Sequence, residues 1–355
     1  MKLDLLISLA DATLRQFSYC ILRSAKQGSQ FQGKTSMNIQ ACTLLALVML
    51  VAGIVPALGQ SAGAFGGPAS PAELFVPQLL SKETLPQQPP HDRARDAVAT
   101  GLAKAKVYKF VPVDYPGAEY SIVQDKNATT MVGTTSYSQT SAFRGFTLIG
   151  GNFREFFLPN SSGSFPFAIN TAGKIVGFFR GSDGYDHGFL DVGGVISNVE
   201  GLPYDINDEG EIVGSDGGGE GFSTPDGVTY TQIIFPNANS TGATGVNTAG
   251  EIVGYWEDGQ DQFHGFLLIG GQFTTFDFPL ATSTYPQGVN DSGEIAGYFT
   301  DASSVSHGFV LSGNTWAQVD VPGAQATALT RIKNNGNITG YYVDQAGENH
   351  GMTGH

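Results

Sequence analysis

"GVNTAGEIVGYWEDGQDQFHGFLLIGGQFTTFDFP" occupies residues 245–279, and residues 288–322 read "GVNDSGEIAGYFTDASSVSHGFVLSGNTWAQVDVP". Forty-three residues separate the two starts, and both stretches contain a "GVN", an "EIxG", an "HGF" and a final "DxP". Recurrence of several spaced elements at one fixed interval is typical of a repeat architecture in which each copy forms one supersecondary unit.

The two elements "xIVG" and "HGF" occur in six copies along the chain. The glycines that end "xIVG" or its variants are Gly133, Gly177, Gly214, Gly254, Gly297 and Gly340. The last residues of "HGF" or its variants are Phe146, Phe189, Phe222, Phe266, Phe309 and Met352. Only the interval between the second and third copies is short, so the sequence predicts six comparable units.

Each of the first five copies contains four runs with strand character, which are "ATGVN", "EIVGYW", "HGFLLI" and "QFTTFDF" in the fourth copy. Asn-to-Gly turns such as "NTAG" and hairpin turns such as "IGGQ" separate the runs. Four short antiparallel strands repeated every 43 residues or so predict an all-β fold, a six-bladed β-propeller of four-stranded antiparallel blades. The glycines of "IVG" and "HGF" are expected at the seams between blades, where backbones approach closely.

The sixth copy supplies only three strands. Residues 107–116, "VYKFVPVDYP", precede the first copy and match the pattern of the fourth strand in the other copies. We therefore expect this amino-terminal strand to complete the last blade beside residues 350–355 and to close the ring. Such pairing would leave no open sheet edge at the seam.

The repeated "G-[IV]-N-x-x-G-x-I-V-G" followed by "H-[AG]-F" and "F-x-x-[FV]-D-[FV]-P" resembles the HAF family of bacterial extracellular repeat proteins. The resemblance covers about residues 107–352, with Gly in this chain where the family name implies Ala. It implies export from a bacterium, and it transfers no established activity to particular residues.

The amino-terminal part divides into an extension with an apolar run over residues 1–60 and a Pro- and Gly-rich linker over residues 61–106. Residues 41–60 have the apolar run and the small residues near its end that are typical of a secretory signal peptide. Met37 is an alternative start of translation. An uncleaved anchor that holds the protein at the cell surface is the rival interpretation. The remainder is then secreted, extracellular or periplasmic, with no membrane insertion after cleavage, and a short helix is predicted near residues 92–106.

Composition excludes some partners. Residues 107–355 carry 8 Lys and Arg against 26 Asp and Glu, which is the wrong sign for a nucleic-acid binder. The two cysteines, Cys20 and Cys42, both precede this region, so it has no disulfide framework or zinc–thiolate site.

Histidine occupies the first position of "HGF" in four copies, at His187, His264, His307 and His350. A ring of metal ligands is one interpretation, but equivalent positions on different blades do not converge on one ion unless they face the axis. We therefore interpret these histidines as repeated structural hydrogen-bonding positions and predict no metal among them.

Carboxylates gather in the loops between "xIVG" and "HGF", and they predict a ring of negative charge around one rim. The binding candidates are Asp183, Asp186, Asp216, Glu220, Glu257, Asp258, Asp261, Asp301 and Asp344, with Trp256 beside them. Calcium, a cationic partner or glycoside chemistry by paired carboxylates are the functional alternatives, and a solvated polar rim is the plain one. Trp256 suits a sugar or a cation, and it is equally compatible with a core position.

The favoured function is a secreted, non-catalytic binding propeller without a cofactor, whose partner is an extracellular glycan or protein. The alternative is an extracellular propeller enzyme, a hydrolase or lyase acting on glycans. An enzyme would place its key residues where copies depart from the repeat, namely at Lys126, Tyr137 and Arg144 in the first copy and at Asp216 and Glu220 in the third.

Overall fold

The computed structural model describes residues 106–137 and 143–355, and this part of the chain contains 24 β-strands and no helix. The apolar run at 41–60, the linker and nearly all of the helix predicted near 92–106 lie outside the described residues. Within the described ranges, no helix is present that is long and apolar enough to cross a membrane.

The strands follow the repeats. A single strand, β1 (Phe110–Val113), comes first. The first set is β2 (Tyr120–Lys126), β3 (Thr130–Ser136), β4 (Phe143–Ile149) and β5 (Asn152–Phe156). The second set is β6 (Ser161–Ile169), β7 (Ile175–Gly181), β8 (Asp186–Val192) and β9 (Val195–Val199). The third set is β10 (Leu202–Ile206), β11 (Ile212–Ser215), β12 (Gly221–Thr224) and β13 (Thr231–Ile233).

Three further sets complete the domain. The fourth set is β14 (Ser240–Val246), β15 (Ile252–Glu257), β16 (Phe263–Ile269) and β17 (Gln272–Phe276). The fifth set is β18 (Ser283–Val289), β19 (Ile295–Thr300), β20 (Ser306–Ser312) and β21 (Thr315–Gln318). The sixth set is β22 (Ala326–Ile332), β23 (Ile338–Val343) and β24 (Asn349–Gly354).

Strands within a set pair antiparallel in chain order, and the second to fifth sets each form a separate four-stranded sheet. The first and sixth sets share one eight-stranded sheet, joined by a single parallel bridge between Tyr120 and Asn349. β1 pairs antiparallel with β24, with Phe110 opposite Gly354 and Val113 opposite Gly351. The sixth set therefore also has four strands when β1 is counted with it.

The first strand of every set contains a register shift just before its asparagine turn, for example between Ala243 and Gly245. A bulge adds one residue to a strand and re-aims the side chains around it. The residues that follow the shift are Asp125, Ala168, Asp205, Gly245, Gly288 and Arg331. This position is the most variable chemically among otherwise similar strands.

The repeated glycines divide into two classes, and one expectation was wrong. A Cβ on Gly254 of "IVG" would lie 2.0 Å from the Gly242 carbonyl oxygen, which belongs to the same sheet rather than to a seam. A Cβ on Gly308 of "HGF" would lie 2.4 Å from the Val319 carbonyl oxygen of its own set and 3.0 Å from Leu329 Cγ on the next set. The second glycine thus makes room both for its own set and for the next one, whereas the first makes room only for its own neighbouring strand.

Deletion of residues 107–116 tests the pairing of β1. Val113 is buried, Tyr108 and Phe110 pack on the core that contains Met352, and Tyr115 packs on the core of the first set. Loss of these apolar contacts together with the β1–β24 hydrogen bonds should lower the free energy of unfolding by about 3 kcal/mol or more, measured by urea denaturation. Deletion of residues 61–91 is the control and should leave unfolding unchanged; equal unfolding of the two truncated proteins would contradict the assignment.

Candidate functional site

The antiparallel order of the strands separates the connections onto two faces. The asparagine turns between first and second strands, such as residues 247–251, lie with the third-to-fourth hairpins on what we call the turn face. The loops between second and third strands, such as residues 258–262, lie with the set-to-set connections on what we call the rim face. The acidic candidates occupy the rim face.

Most rim-face loops begin with an aspartate whose carboxylate folds the loop. Asp258 Oδ1 accepts the backbone N–H groups of Gln260 at 2.8 Å and Gln262 at 3.0 Å. The same arrangement of one carboxylate oxygen on two backbone N–H groups recurs at Asp216, Asp301 and Asp344. These aspartates are turn formers of the Asx type, which explains why they recur in the third to sixth copies.

The second carboxylate oxygen of three of these aspartates faces a histidine of "HGF". His264 Nε2 lies 3.4 Å from Asp258 Oδ2, and its Nδ1 lies 2.9 Å from Asp277 Oδ2. We call this arrangement an Asp–His–Asp clamp. It recurs with the members Asp301, His307 and Asp320, and with the members Asp344, His350 and Asp114.

Each clamp histidine also stacks on the aromatic residue opposite it on the neighbouring strand. The ring centroids are 4.5 Å apart for Trp256 and His264, and 5.2 Å apart for Phe299 and His307. His187 stacks on Phe179 and contacts one carboxylate, Asp183, at 2.9 Å. The three clamp histidines therefore join loop, strand and "DxP" aspartate, whereas His187 joins only loop and strand.

The clamps shift the ionisation of their members. Burial alone would lower the pKa of His264 and His307, but hydrogen bonds and charge attraction from the two aspartates outweigh it and raise the pKa. The pKa of His350 is raised in the same way. Backbone N–H groups and the facing histidine lower the pKa of Asp258 and Asp344.

The remaining rim candidates also have structural partners, with one exception. Asp186 pairs with Arg180 at 2.6 Å, Glu220 accepts from Gln232 at 2.7 Å, and Glu257 accepts from Ser240 at 2.8 Å. Asp261 takes a positive φ of 60° in its loop, and its side chain has no partner within the described ranges.

Trp256 is held on both faces. Its ring stacks on Phe235 at 4.4 Å and on His264, and its Nε1–H donates to Thr275 Oγ1. Because both ring faces are covered, this tryptophan offers no free platform for a sugar.

Among the residues that the structure describes, one group on the rim face has ligand atoms close enough together to share an ion. The side chains of Asp344, Glu348 and His350 each offer an atom within 4.8 Å of the others. Asp344 and His350 are already engaged in a clamp. Calcium at the rim remains a prediction.

The residues expected from departures in the repeat are divided between the two faces. Arg144 pairs with Glu155, and Tyr137 packs edge-on against Tyr115 at 6.2 Å. Lys126 lies at the end of β2, on the turn face, whereas Asp216 and Glu220 lie on the rim face. They do not form one catalytic constellation.

The turn face holds a central depression of about 480 Å³, and an asparagine ladder runs around it. The Nδ2 of each turn asparagine donates to the backbone carbonyl of the equivalent residue in the next set, for example Asn207 to Asn247 at 2.9 Å. The ladder members are Asn127, Asn170, Asn207, Asn247 and Asn290, and the last donates to the carbonyl of Lys333.

Ionisable side chains lie beneath this ladder, at the position after the bulge. Arg331 is buried; its guanidinium donates to the carbonyl of Gln287 at 2.5 Å and to the carbonyl of Tyr204, and its Nε lies 3.3 Å from Asp205 Oδ1. Residues of the sixth, fifth and third sets thus meet at one charged group.

A second ion pair lies nearby. Lys333 Nζ is 2.5 Å from Asp125 Oδ1, and Asp125 Oδ2 accepts the backbone N–H of Ile169 in the second set. Asp205 Oδ2 likewise accepts the N–H of Val246 in the fourth set. The two aspartates and the two basic residues therefore connect all six sets, because Arg331 also contacts Gln287 of the fifth set.

Burial raises the pKa of Asp205, although attraction to Arg331 opposes the rise. A carboxyl group with a raised pKa is a feature of general acids. However, both Asp205 oxygens already accept N–H groups, from Ile206 and Val246. We conclude that its first task is structural.

Asp125, Asp205, Arg331 and Lys333 were not among the site residues predicted from the sequence. The sequence does mark this part of the strand. Two residues before the turn asparagine or its equivalent, three copies have a small residue and three have an ionisable one. The sequence does not show that these six residues lie around one common space, which is why their pairing could not be predicted.

Four tyrosines from the first and second strands of the first, fifth and sixth sets pack together. Tyr120, Tyr298 and Tyr341 share one buried cluster, and Tyr285 packs against it. Burial raises the pKa of Tyr285 to about 12, and it also raises the pKa of Tyr120 and Tyr341. The hydroxyls of Tyr120 and Tyr341 have no hydrogen-bond partner among the described residues.

No family model matches the chain, and no curated protein matches it. Among solved structures, virginiamycin B lyase from Staphylococcus aureus is similar with a TM-score of 0.42 and 11% identity, covering 69% of this chain and 88% of that one. The lectin of Aleuria aurantia is similar with a TM-score of 0.42 and 10% identity, covering 66% and 93%. TolB from Acinetobacter baumannii is similar with a TM-score of 0.43 and 11% identity, covering 60% of each chain. At this level of similarity the matches assign neither a ligand nor a reaction to the protein.

The clamps predict that stability depends on pH. The raised pKa of His264, His307 and His350 means that their contribution is complete below the unfolded value near 6.5 and is lost as the pH rises through the folded values. The free energy of unfolding should therefore fall from about pH 6 to pH 9.

Replacing all three clamp histidines by Gln should flatten this profile, as followed by urea denaturation across the pH range. Asp226→Asn, an exposed turn variant on the third set, is the control and should keep the slope of the parent above pH 6. A triple variant with the slope of the parent would show that the clamps do not couple to folding.

Proposed function

We propose that residues 107–355 form a six-bladed β-propeller closed by β1. Three observations support closure. β1 pairs with β24. Thr330 Oγ1 of the sixth set donates to the Val123 carbonyl of the first set at 2.7 Å, 207 residues away in sequence. Lys333 meets Asp125 across the same junction. Thus the last set contacts the first as each set contacts its successor.

We further propose that this propeller is an exported, non-catalytic binding module of the HAF type. The observation that carries the proposal is the engagement of the acidic side chains: among the rim candidates all but Asp261 either fold their own loop or accept from a neighbour. The pKa of Asp183, Asp258 and Asp344 is lowered, so these groups are poor proton donors near neutral pH.

The depression on the turn face is the best candidate for the binding surface. Its volume of about 480 Å³ is in the range of small-ligand sites, and amide and charged groups from all six sets line it. Export rests on the apolar run at residues 41–60 and on the resemblance to extracellular repeat proteins. The partner in this proposal is an extracellular glycan or protein.

The alternative is a glycan-cleaving enzyme, and the raised pKa of Asp205 is the observation that favours it. Paired carboxylates in glycosidases need one group that exchanges protons with substrate. Asp205 is buried and its oxygens are occupied, which weighs against the role.

A glycan array combined with a cleavage screen separates the two functions. We expect the mature protein to bind at least one glycan and to leave every polysaccharide in the screen uncleaved. Chain cleavage by the parent that is lost in Asp205→Asn, Asp216→Asn or Glu220→Gln would overturn the binding proposal in favour of an enzyme. Asp226→Asn is the matched control, because its carboxylate serves a hairpin turn of the third set.

A further inference from the structure

The turn-face depression differs in charge from the rest of the domain. Residues 107–355 hold 8 basic and 26 acidic side chains, whereas the lining of this depression holds three of each: Lys126, Arg331 and Lys333, and Asp205, Asp208 and Asp291. Arg331 and Lys333 are paired with Asp205 and Asp125. The ammonium group of Lys126 has no partner among the described residues.

Hydrogen-bond acceptors in the depression are largely occupied. The side-chain oxygens of the five ladder asparagines accept backbone N–H groups of their own turns, such as Glu211 N on Asn207 Oδ1 at 2.8 Å. Asp208 Oδ1 accepts Thr171 N, and Asp291 accepts Thr248 N and Asn334 Nδ2.

On one side of the depression, several hydrogen-bond donors have no partner among the described residues. Asn247 and Asn290 each donate to a carbonyl and to a glutamate, so both of their N–H groups are used. Asn127, Asn170 and Asn207 each donate once and keep a second N–H without a partner in the described chain. An ammonium group has three donors, of which Lys333 uses one for Asp125.

The free donors therefore cluster on the first, second, third and sixth sets, around Lys126 and Lys333. A surface with free donors, an unpaired cation and occupied acceptors selects a ligand rich in acceptors. Its volume suits a sugar of one or two rings.

We propose that the turn-face depression binds an anionic sugar, with its carboxylate or phosphate on Lys126 and Lys333 and its hydroxyl oxygens on Asn127, Asn170 and Asn207. This inference rests on the proposed binding function and names its ligand class. Asp208 and Asp291 also line the depression, where they accept N–H groups of neighbouring turns.

Calorimetric titration at low salt with D-glucuronate, glucose 6-phosphate and D-glucose tests the proposal. We expect at least one of the two anions to bind about tenfold or more tightly than neutral glucose. The anion that binds better identifies carboxylate or phosphate as the preferred group. Absence of binding by both anions, or equal binding of glucose, would overturn the proposal.

Lys126→Met should weaken the binding of the preferred anion about tenfold or more while the unfolding midpoint stays that of the parent. Lys174→Met is the matched control, because Lys174 also lies at the turn face but outside the depression; it should bind as the parent does. Unchanged binding by Lys126→Met would refute the assigned site. If the site is refuted but the parent protein still binds glycans on the array, the proposed binding function stands. If the parent protein cleaves a polysaccharide, the proposed binding function is wrong as well.

Discussion

The buried guanidinium of Arg331 is the group on which the centre of the domain depends. A charge without water must be compensated by hydrogen bonds and an opposite charge, or it costs several kcal/mol. Here the compensation comes from Thr330 in its own set, from Gln287 in the preceding set and from Tyr204 and Asp205 in the third set. Arg331 therefore fixes the distance between sets that are remote in sequence.

The neighbouring positions are adapted to this side chain. Gly288 is equivalent to Arg331 in the fifth set, and a Cβ there would lie 3.0 Å from Arg331 Cδ. Gly245, the equivalent residue of the fourth set, would place a Cβ 2.7 Å from Gly288 Cα. Two glycines, two aspartates, one alanine and one arginine thus share a crowded space that six identical residues could not fill.

Much of the fold could be predicted from the sequence, because the repeat specifies each set locally. The four strands per copy, the asparagine turns and the recurrence of one histidine position follow from nearby residues such as Asn247, Gly250 and His264. The carboxylates of the rim were recognised, but the engagement of Asp258 with its own loop and with His264 depends on geometry that composition does not reveal.

What could not be predicted arises where sets meet. Asp125, Asp205, Arg331 and Lys333 look like isolated departures from the repeat, and their meaning appears only when strands more than a hundred residues apart face one space. The prediction for the glycine of "IVG" was wrong for a related reason. Glycine is required both where two backbones approach within one sheet and where they approach between sheets, so the sequence cannot distinguish the two cases.

A double-mutant cycle between Arg331 and Asp205 can show whether the sets surround one centre, since the two residues are far apart in sequence and meet only in that arrangement. Urea unfolding would be measured for Arg331→Met, Asp205→Asn and the double variant. We expect Arg331→Met to lower the free energy of unfolding by about 3 to 5 kcal/mol, and the double variant to be less destabilised than the sum of the single variants by about 1 kcal/mol or more. If the two losses simply add, as they should for Arg331→Met combined with the surface variant Asp226→Asn, the two side chains do not interact and the proposed arrangement is wrong.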